Sequence, residues 1–91
     1  MTRQVSLQKV RESLEQAIDR KYWLPANAMV LVREALLQLP SDGTHDTVTA
    51  EFLCNAALDE SKEADSGRAH VERSRDDLQA VNKGNAQLVP K

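Results

Sequence analysis

The positions of the prolines constrain the fold of this 91-residue chain more than any other feature. Pro25 and Pro40 lie at the boundaries of stretches with helical periodicity, and no further proline occurs until Pro90. Because proline is tolerated in the first turn of a helix but not in its interior, these positions predict one helix before Pro25, one between the two prolines and one after Pro40. The expected fold is all-α, a small helical bundle of three helices.

The first predicted helix covers residues 5–21. Ser6 is a suitable N-cap, and the apolar residues after it recur with the three- and four-residue spacing of a helix. These residues are Leu7, Val10, Leu14, Ala17 and Ile18. Charged residues occupy the opposite face, so we expect an amphipathic helix with one side on the core.

The second predicted helix runs from Pro25 to about Leu39 and is apolar around most of its circumference. Its polar residues from position 27 onward are Asn27, Arg33, Glu34 and Gln38. A helix of this kind is buried on several sides, so we expect it at the centre of the bundle. Two short neighbours cannot easily cover so much apolar surface, which favours an additional contact with a second chain or a partner groove.

The third segment has helical character from Asp46 or Thr47 to about Lys83, roughly 37 residues, whereas a typical helix has ~11–12. Two interpretations are open: a long helix, straight or kinked, and a hairpin broken at Ser66 and Gly67. The long helix is the preferred interpretation. Gly84 predicts the end of the helical domain, residues 1–84, and residues 85–91 are expected to form a flexible C-terminal tail.

The formal net charge of −2 conceals an uneven distribution along the third segment. Residues 41–66 contain one lysine and seven acidic residues, whereas basic residues are in excess over residues 67–91. Part of this pattern complements the helix dipole. It also suits two antiparallel copies whose acidic and basic halves face each other, so we expect a homodimer. A hairpin at Gly67 satisfies the same complementarity within one chain.

No arrangement of residues in the sequence indicates catalysis, a metal site or a cofactor. His45 lies in a polar loop, and His70 lacks a second ligand at metal-binding spacing. The acidic loop around Gly43 lacks the glycine and glutamate positions of a calcium-binding loop. Cys54 is expected to be a buried small hydrophobe, and the three glycines are too far apart for a phosphate-binding loop. We therefore expect no enzyme, no catalytic residue, no metal and no cofactor.

The sequence also bears on the location of the protein. The longest apolar run, residues 28–32, is far shorter than the ~20 residues that cross a bilayer. The N-terminus lacks the apolar region of a secretory signal, and the single cysteine fits a reducing compartment. The expected location is the cytoplasm, without membrane contact.

Nucleic-acid binding is one class of function that the charges of this sequence can test. Arg68, Arg73 and Arg75 form a short basic stretch, but three acidic residues are interspersed among them, and the isoelectric point is about 5.6. Because nucleic-acid binding needs a continuous basic surface, a small DNA- or RNA-binding transcriptional regulator is kept as the alternative function only.

A protein–protein interaction is the function that the sequence favours. Tyr22 and Trp23 are consecutive at a helix end, so one of them is expected to face outward, where such residues often anchor a partner. The competing interpretation is that Trp23 closes the end of the bundle. We predict a non-enzymatic interaction or regulatory protein that binds a larger protein partner as a homodimer. The predicted partner-binding residues are Tyr22, Trp23, Asp59, Glu60, Glu63, Arg68, Arg73 and Arg75, in which the charged residues set the register.

Overall fold

The computed structural model describes residues 2–91, which form four helices and two short strands. In chain order the elements are β1 (Arg3–Ser6), α1 (Leu7–Ala17), α2 (Ala26–Leu37), α3 (Thr47–Asp59), α4 (Arg68–Asn82) and β2 (Ala86–Val89). The prediction of an all-α bundle of three helices with a long third helix is therefore wrong.

The first two helices lie within the segments that the sequence predicts to be helical. The Ser6 hydroxyl accepts a hydrogen bond from the Lys9 N–H at 3.2 Å, which caps α1. Pro25 is the N-cap residue of α2, and its fixed φ of −58° suits the entry into the helix. Local capping residues thus determine where both helices begin.

The predicted third helix consists of two helices, α3 and α4. The Asp46 carboxylate caps α3 by accepting a hydrogen bond from the Thr49 N–H at 2.9 Å, and its bonds to Thr49 hold the pKa of Asp46 below the ordinary value. Residues 60–67 then connect α3 to α4 without regular structure. Residues 59–66 contain no apolar side chain larger than alanine, so a helix continued through them has nothing to bury.

The four helices form a ring in which each one runs antiparallel to its neighbours. Arg11, in the first half of α1, donates to carbonyl oxygens at the C-terminal end of α2. Asn82, at the end of α4, donates to the Thr47 carbonyl oxygen at the start of α3 over 3.0 Å. The buried Ser74 hydroxyl of α4 donates to the Val10 carbonyl oxygen of α1 over 3.1 Å. The connections 18–25 and 60–67 therefore lie at one end of the ring, and the loop 38–46 lies at the other.

The core fills the centre of the ring. Its largest fully buried apolar side chains are Leu14, Leu39, Leu78, Val10, Val32 and Val71. α2 contributes Ala28, Val32 and Ala35 to it, but Val30 and Leu37 of the same helix are exposed. Met29, Leu31 and Leu36 flank the buried row and are half-buried against the core, so α2 is covered on several sides. One face of this apolar helix is nevertheless open to solvent, and the expectation that α2 lies at the centre of the bundle is wrong, since it is one of the four helices of the ring.

The two strands hold the N-terminal and C-terminal segments of the chain together by hydrogen bonds. β1 and β2 pair in parallel, from Arg3 opposite Ala86 to Ser6 opposite Val89. Gly84 adopts a φ of +78°, a left-handed conformation that ends α4 and turns the chain toward β1. The sequence predicts a flexible tail over residues 85–91, whereas the structure places four of these residues in β2. Across residues 2–91, the helices are all too short or too polar to cross a membrane.

Candidate protein-interaction site

Six of the eight predicted partner-binding residues lie at the same end of the ring, on or beside the two connections. We call this part of the molecule, residues 18–25 together with residues 59–68, the Trp23 end. It contains Tyr22, Trp23, Asp59, Glu60, Glu63 and Arg68. Arg73 and Arg75 lie further along α4, so the structure does not bring all eight residues into one surface.

Trp23 is exposed although its backbone is fixed on both sides. The Trp23 N–H donates to the Ser66 hydroxyl over 2.8 Å, and the Trp23 carbonyl oxygen accepts from the Gly67 N–H over 3.0 Å. The residue itself remains 60% exposed, while the following Leu24 enters the core and is 3% exposed. The chain therefore presents the indole from a fixed position, and Leu24, rather than Trp23, closes this end of the core.

Tyr22 lies beside Trp23 and rests on α4. Its ring meets the His70 imidazole edge-on, with ring centroids 4.4 Å apart and an interplanar angle of 71°. Tyr22 is 37% exposed, so neither residue of the aromatic pair is buried. This contact orients Tyr22 and leaves part of its ring available next to the indole.

Gly67 allows the two connections of the Trp23 end to approach closely. A Cβ atom at this position would lie 2.8 Å from the Ala17 carbonyl oxygen and 2.8 Å from Leu24 Cγ, well inside van der Waals contact. The φ of Gly67 is −79°, which any residue can adopt, so the requirement for glycine is one of space. Because Gly67 has no side chain, the two connections approach closely enough for its N–H to bond the Trp23 carbonyl oxygen and hold the Trp23 backbone in place.

The Trp23 end carries five acidic residues and four basic residues: Asp19, Asp59, Glu60, Glu63 and Asp65, and Arg20, Lys21, Lys62 and Arg68. Asp59, Glu60 and Glu63 are exposed, and none of them forms an ion pair within residues 2–91. Asp65 is used internally, since its carboxylate accepts from the Lys62 N–H over 2.7 Å. Three carboxylates therefore remain available at the Trp23 end, together with the exposed Arg20, Lys21 and Lys62, which also form no ion pair within residues 2–91.

The arginines of α4 have different surroundings. The Arg68 guanidinium donates to the carbonyl oxygens of Leu58 and Ser61 at 2.7 and 3.0 Å, which satisfies the last turn of α3. Arg75 donates to Asp76 over 2.7 Å and to Asn55 over 3.0 Å. Arg73 alone is exposed, beside a shallow groove of about 300 Å³ between α1 and α4. Arg68 and Arg75 thus hold the fold together, a role that the sequence analysis missed.

Four further exposed apolar side chains were also missed in the sequence. Val30 and Leu37 on α2, and Val48 and Phe52 on α3, are 52%, 77%, 68% and 69% exposed. Val30 and Leu37 are seven residues apart, and Val48 and Phe52 are four apart, so each pair lies on one side of its helix. These two spacings are the sequence signal for the exposed residues.

No group of three or more His, Cys, Asp or Glu side chains within residues 2–91 could hold a metal ion. Cys54 is fully buried, and this burial raises the pKa of its thiol to about 12, so it is a poor nucleophile. His45 is hydrogen-bonded to the Pro40 carbonyl oxygen at 2.9 Å.

Comparison with known proteins adds no functional information, since no family model, no curated protein and no solved structure matches this chain. Function is therefore inferred from the residues themselves. The Trp23 end offers an exposed indole on a fixed backbone, with unpaired charged residues of both signs in the same two connections. The helices α2 and α3 offer four exposed apolar side chains.

Proposed function

We propose that this protein acts without catalysis, as an interaction or regulatory protein that binds a larger protein partner through the Trp23 end. One observation carries the proposal: Trp23 is 60% exposed while both its backbone N–H and its carbonyl oxygen are hydrogen-bonded within the chain. Tryptophan is enriched among residues that dominate binding energy. A side chain on a fixed backbone loses less conformational entropy when it binds, which favours affinity.

The charges around Trp23 indicate the chemistry of the partner. Asp59, Glu60 and Glu63 are exposed at the Trp23 end, as are Arg20, Lys21 and Lys62, and none of these six residues forms an ion pair within residues 2–91. A complementary surface has an apolar pocket for the indole and charged side chains of both signs at its rim. Such rim charges mainly accelerate association and select the partner, so binding should weaken as salt increases.

We also propose that the protein is a homodimer and resides in the cytoplasm, where its single thiol stays reduced. The dimer cannot form by pairing of long third helices, because the chain has two shorter helices in that region. The dimer contact therefore requires another surface of the molecule.

The charge arrangement gives less support to the alternative, a DNA- or RNA-binding regulator. Phosphate binding needs arginine or lysine side chains that are free to leave the protein surface. Arg68 and Arg75 are instead bonded to groups of the chain itself. At the Trp23 end, the exposed Arg20, Lys21 and Lys62 are accompanied by Asp59, Glu60 and Glu63, so this end has no continuous basic surface.

The proposal is tested with tagged Trp23→Ala and wild-type protein, each used to purify partners from the cells that express this protein. Gln8→Ala is the matched control, because Gln8 is also exposed but lies at the start of α1, near Ser41 at the opposite end of the ring. We expect at least one protein to be retained by the wild type and the control and lost with Trp23→Ala. The purified pair should then bind in solution with a blue shift of the Trp23 emission.

Two outcomes would contradict the proposal. One is that every protein recovered with the wild type is recovered equally with Trp23→Ala. The other is that the purified pair binds without any change in the emission of Trp23, the only tryptophan in the chain. Either result would place the functional surface elsewhere.

A further inference from the structure

A groove between α1 and α4 combines exposed basic side chains with an unpaired hydroxyl group. Its volume is about 300 Å³, at the lower end of the range of ~300–1,000 Å³ for small-molecule sites. Six residues line the groove: Lys9, Glu12, Ser13 and Gln16 on α1, and Arg73 and Asp77 on α4. None of the six belongs to the Trp23 end, so the groove is a separate surface of the molecule.

Ser13 lies at the bottom of this groove. The residue is 8% exposed, and its hydroxyl forms no hydrogen bond within residues 2–91, unlike the hydroxyls of other serines in the chain. Every fully enclosed side-chain oxygen or nitrogen of these residues has a hydrogen-bond partner, so the unpaired Ser13 hydroxyl is open to the groove. Ser13 therefore offers a donor that the fold itself does not use.

Lys9 and Arg73 supply positive charge from the two sides of the groove. Both residues are exposed, and neither forms an ion pair within residues 2–91. Arg73 directly precedes Ser74, whose hydroxyl donates to the Val10 carbonyl oxygen over 3.1 Å. Arg73 is therefore level with the turn of α1 that follows Val10, which is the turn that contains Ser13. One cation from each helix thus borders the space into which the free hydroxyl opens.

Two carboxylates also border the groove, and both are engaged by other side chains. Asp77 accepts from the Arg3 guanidinium over 2.5 Å, in an ion pair that ties β1 to α4. Glu12 accepts a hydrogen bond from the Gln8 side chain over 3.2 Å, and it also lines a second pocket on the other side of α1, so it lies on the crest between the two. With Arg3 included, three basic and two acidic side chains surround the groove, which leaves a net positive charge.

We propose that the groove between α1 and α4 binds a phosphate group, carried either by a small phosphorylated molecule or by inorganic phosphate. Lys9 and Arg73 neutralise the charge of the phosphate, and the Ser13 hydroxyl and the Gln16 side-chain amide donate hydrogen bonds to its oxygens. The inference goes beyond the proposed function and does not rest on it, because it assigns a small-ligand site to a surface separate from the Trp23 end.

The arrangement of the donors favours phosphate over other anions. A planar carboxylate is satisfied by the two parallel hydrogen bonds of one arginine, whereas the donors of this groove come from two helices and approach from different sides. A phosphate group has three strong acceptor oxygens that point in different directions, so it can use an arginine, a lysine and a hydroxyl at once. A nucleic-acid backbone is a poorer fit, because it needs a continuous basic surface rather than a site for one phosphate.

The test is a titration of the isotope-labelled full chain, followed by NMR, with inorganic phosphate in one series and glycerol 3-phosphate in another. We expect saturable shifts of the backbone amide signals of Ser13, Gln16 and Arg73, and no shifts with glycerol, the uncharged control. Binding should weaken as sodium chloride is added, because salt screens exposed charges. Tighter binding of glycerol 3-phosphate than of inorganic phosphate would identify a phosphorylated molecule as the source of the phosphate group, and the reverse order would identify the free ion.

Two variants separate binding in the groove from general attraction of anions. Ser13→Ala removes the free hydroxyl without a change of charge, and Arg73→Gln removes one cation, so each should raise the dissociation constant about tenfold. Arg33→Gln is the matched control, because Arg33 is also an exposed helical arginine without an ion pair but lies on α2. It removes the same charge and should leave binding unchanged. Circular dichroism should show the same fold for all three variants.

Three results would overturn the phosphate site. The first is the absence of saturable shifts with both phosphates, and the second is equal affinity of Ser13→Ala and the wild type. The third is an equal loss of affinity in Arg33→Gln and Arg73→Gln, which would reduce the effect to the net charge of the molecule. Trp23→Ala should bind phosphate as the wild type does, so failure of the proposed function and failure of this inference give different results.

Discussion

Gly67 contacts Trp23 directly through the backbone. The Gly67 N–H donates to the Trp23 carbonyl oxygen over 3.0 Å, and a Cβ atom at position 67 would lie 3.2 Å from the same oxygen. Two further atoms, of Ala17 and Leu24, would lie 2.8 Å from that Cβ. The single methyl group of an alanine therefore suffices to separate the two connections that present the indole.

Gly67→Ala should lower the free energy of unfolding by about 1–3 kcal/mol, because the added carbon overpacks a site closed by backbone atoms. Urea denaturation followed by the emission of Trp23 measures this change. The variant should also bind the partner protein more weakly, since the backbone of Trp23 has to move to make room.

Ser66→Ala is the control for this prediction. It removes the hydrogen bond from the Trp23 N–H to the hydroxyl but adds no atoms, so its cost should be smaller, about 0.5–1.5 kcal/mol. If Gly67→Ala is as stable as the wild type, the close contact of the two connections seen in the structure is absent in solution. The backbone of Trp23 is then not fixed by Gly67.

Arg11 of the neighbouring helix α1 satisfies carbonyl oxygens at the C-terminal end of α2. Its guanidinium donates to the Leu36 carbonyl oxygen over 3.2 Å and also to the Leu39 carbonyl oxygen. Arg11→Met keeps much of the aliphatic length but removes the donors, so it should cost about 1–3 kcal/mol of stability in urea denaturation. Arg20→Met, at an exposed position, should cost much less. Equal losses in the two variants would mean that the bonds to α2 contribute nothing.

The boundaries that depend on neighbouring residues could be predicted from the sequence. Ser6, Pro25 and Asp46 act on the few residues next to them, so the starts of α1, α2 and α3 follow from capping rules. The break between α3 and α4 had a signal as well, because residues 59–66 offer no large apolar side chain to the core. A helix can thus end without a proline, where its side chains have no apolar surface to bury.

The remaining features depend on contacts between distant parts of the chain. Val5 pairs with Leu88, and no local pattern of residues encodes such a contact. α2 is apolar on nearly every side, so its periodicity could not show that Val32 is buried and Leu37 exposed. The exposed position of Trp23 could be anticipated from its neighbour Tyr22, but its fixed backbone depends on Gly67, which lies in another segment.

Deletion of residues 86–91 tests whether the C-terminal residues belong to the fold. β2 covers part of β1, where Val5 is 3% exposed, so the deletion should expose apolar surface and cost on the order of 1–3 kcal/mol. Hydrogen exchange should show faster exchange of the backbone amides of β1. Deletion of Pro90 and Lys91 alone is the control and should leave stability unchanged. A free tail would make both deletions neutral.

Cys54 should make stability depend on pH in the alkaline range. The thiol is fully buried, and desolvation raises its pKa from 9.0 to about 12 in the folded chain, although the charge of Arg75 acts in the opposite direction. Between about pH 9 and pH 12 the thiol in the unfolded chain loses its proton, while the folded chain retains it. The unfolded state binds fewer protons in this window, so the free energy of unfolding falls as pH rises.

The contribution of Cys54 to this slope is at most about 1.4 kcal/mol per pH unit. The stability that the protonated, buried thiol contributes is fully present below about pH 9 and is lost progressively up to about pH 12. Urea denaturation of the wild type and of Cys54→Ala at several pH values isolates it, because lysine and tyrosine titrations are common to both proteins. The wild type should lose stability more steeply. Parallel slopes, or rapid alkylation of the thiol in the folded protein at pH 8, would show that Cys54 is accessible to solvent.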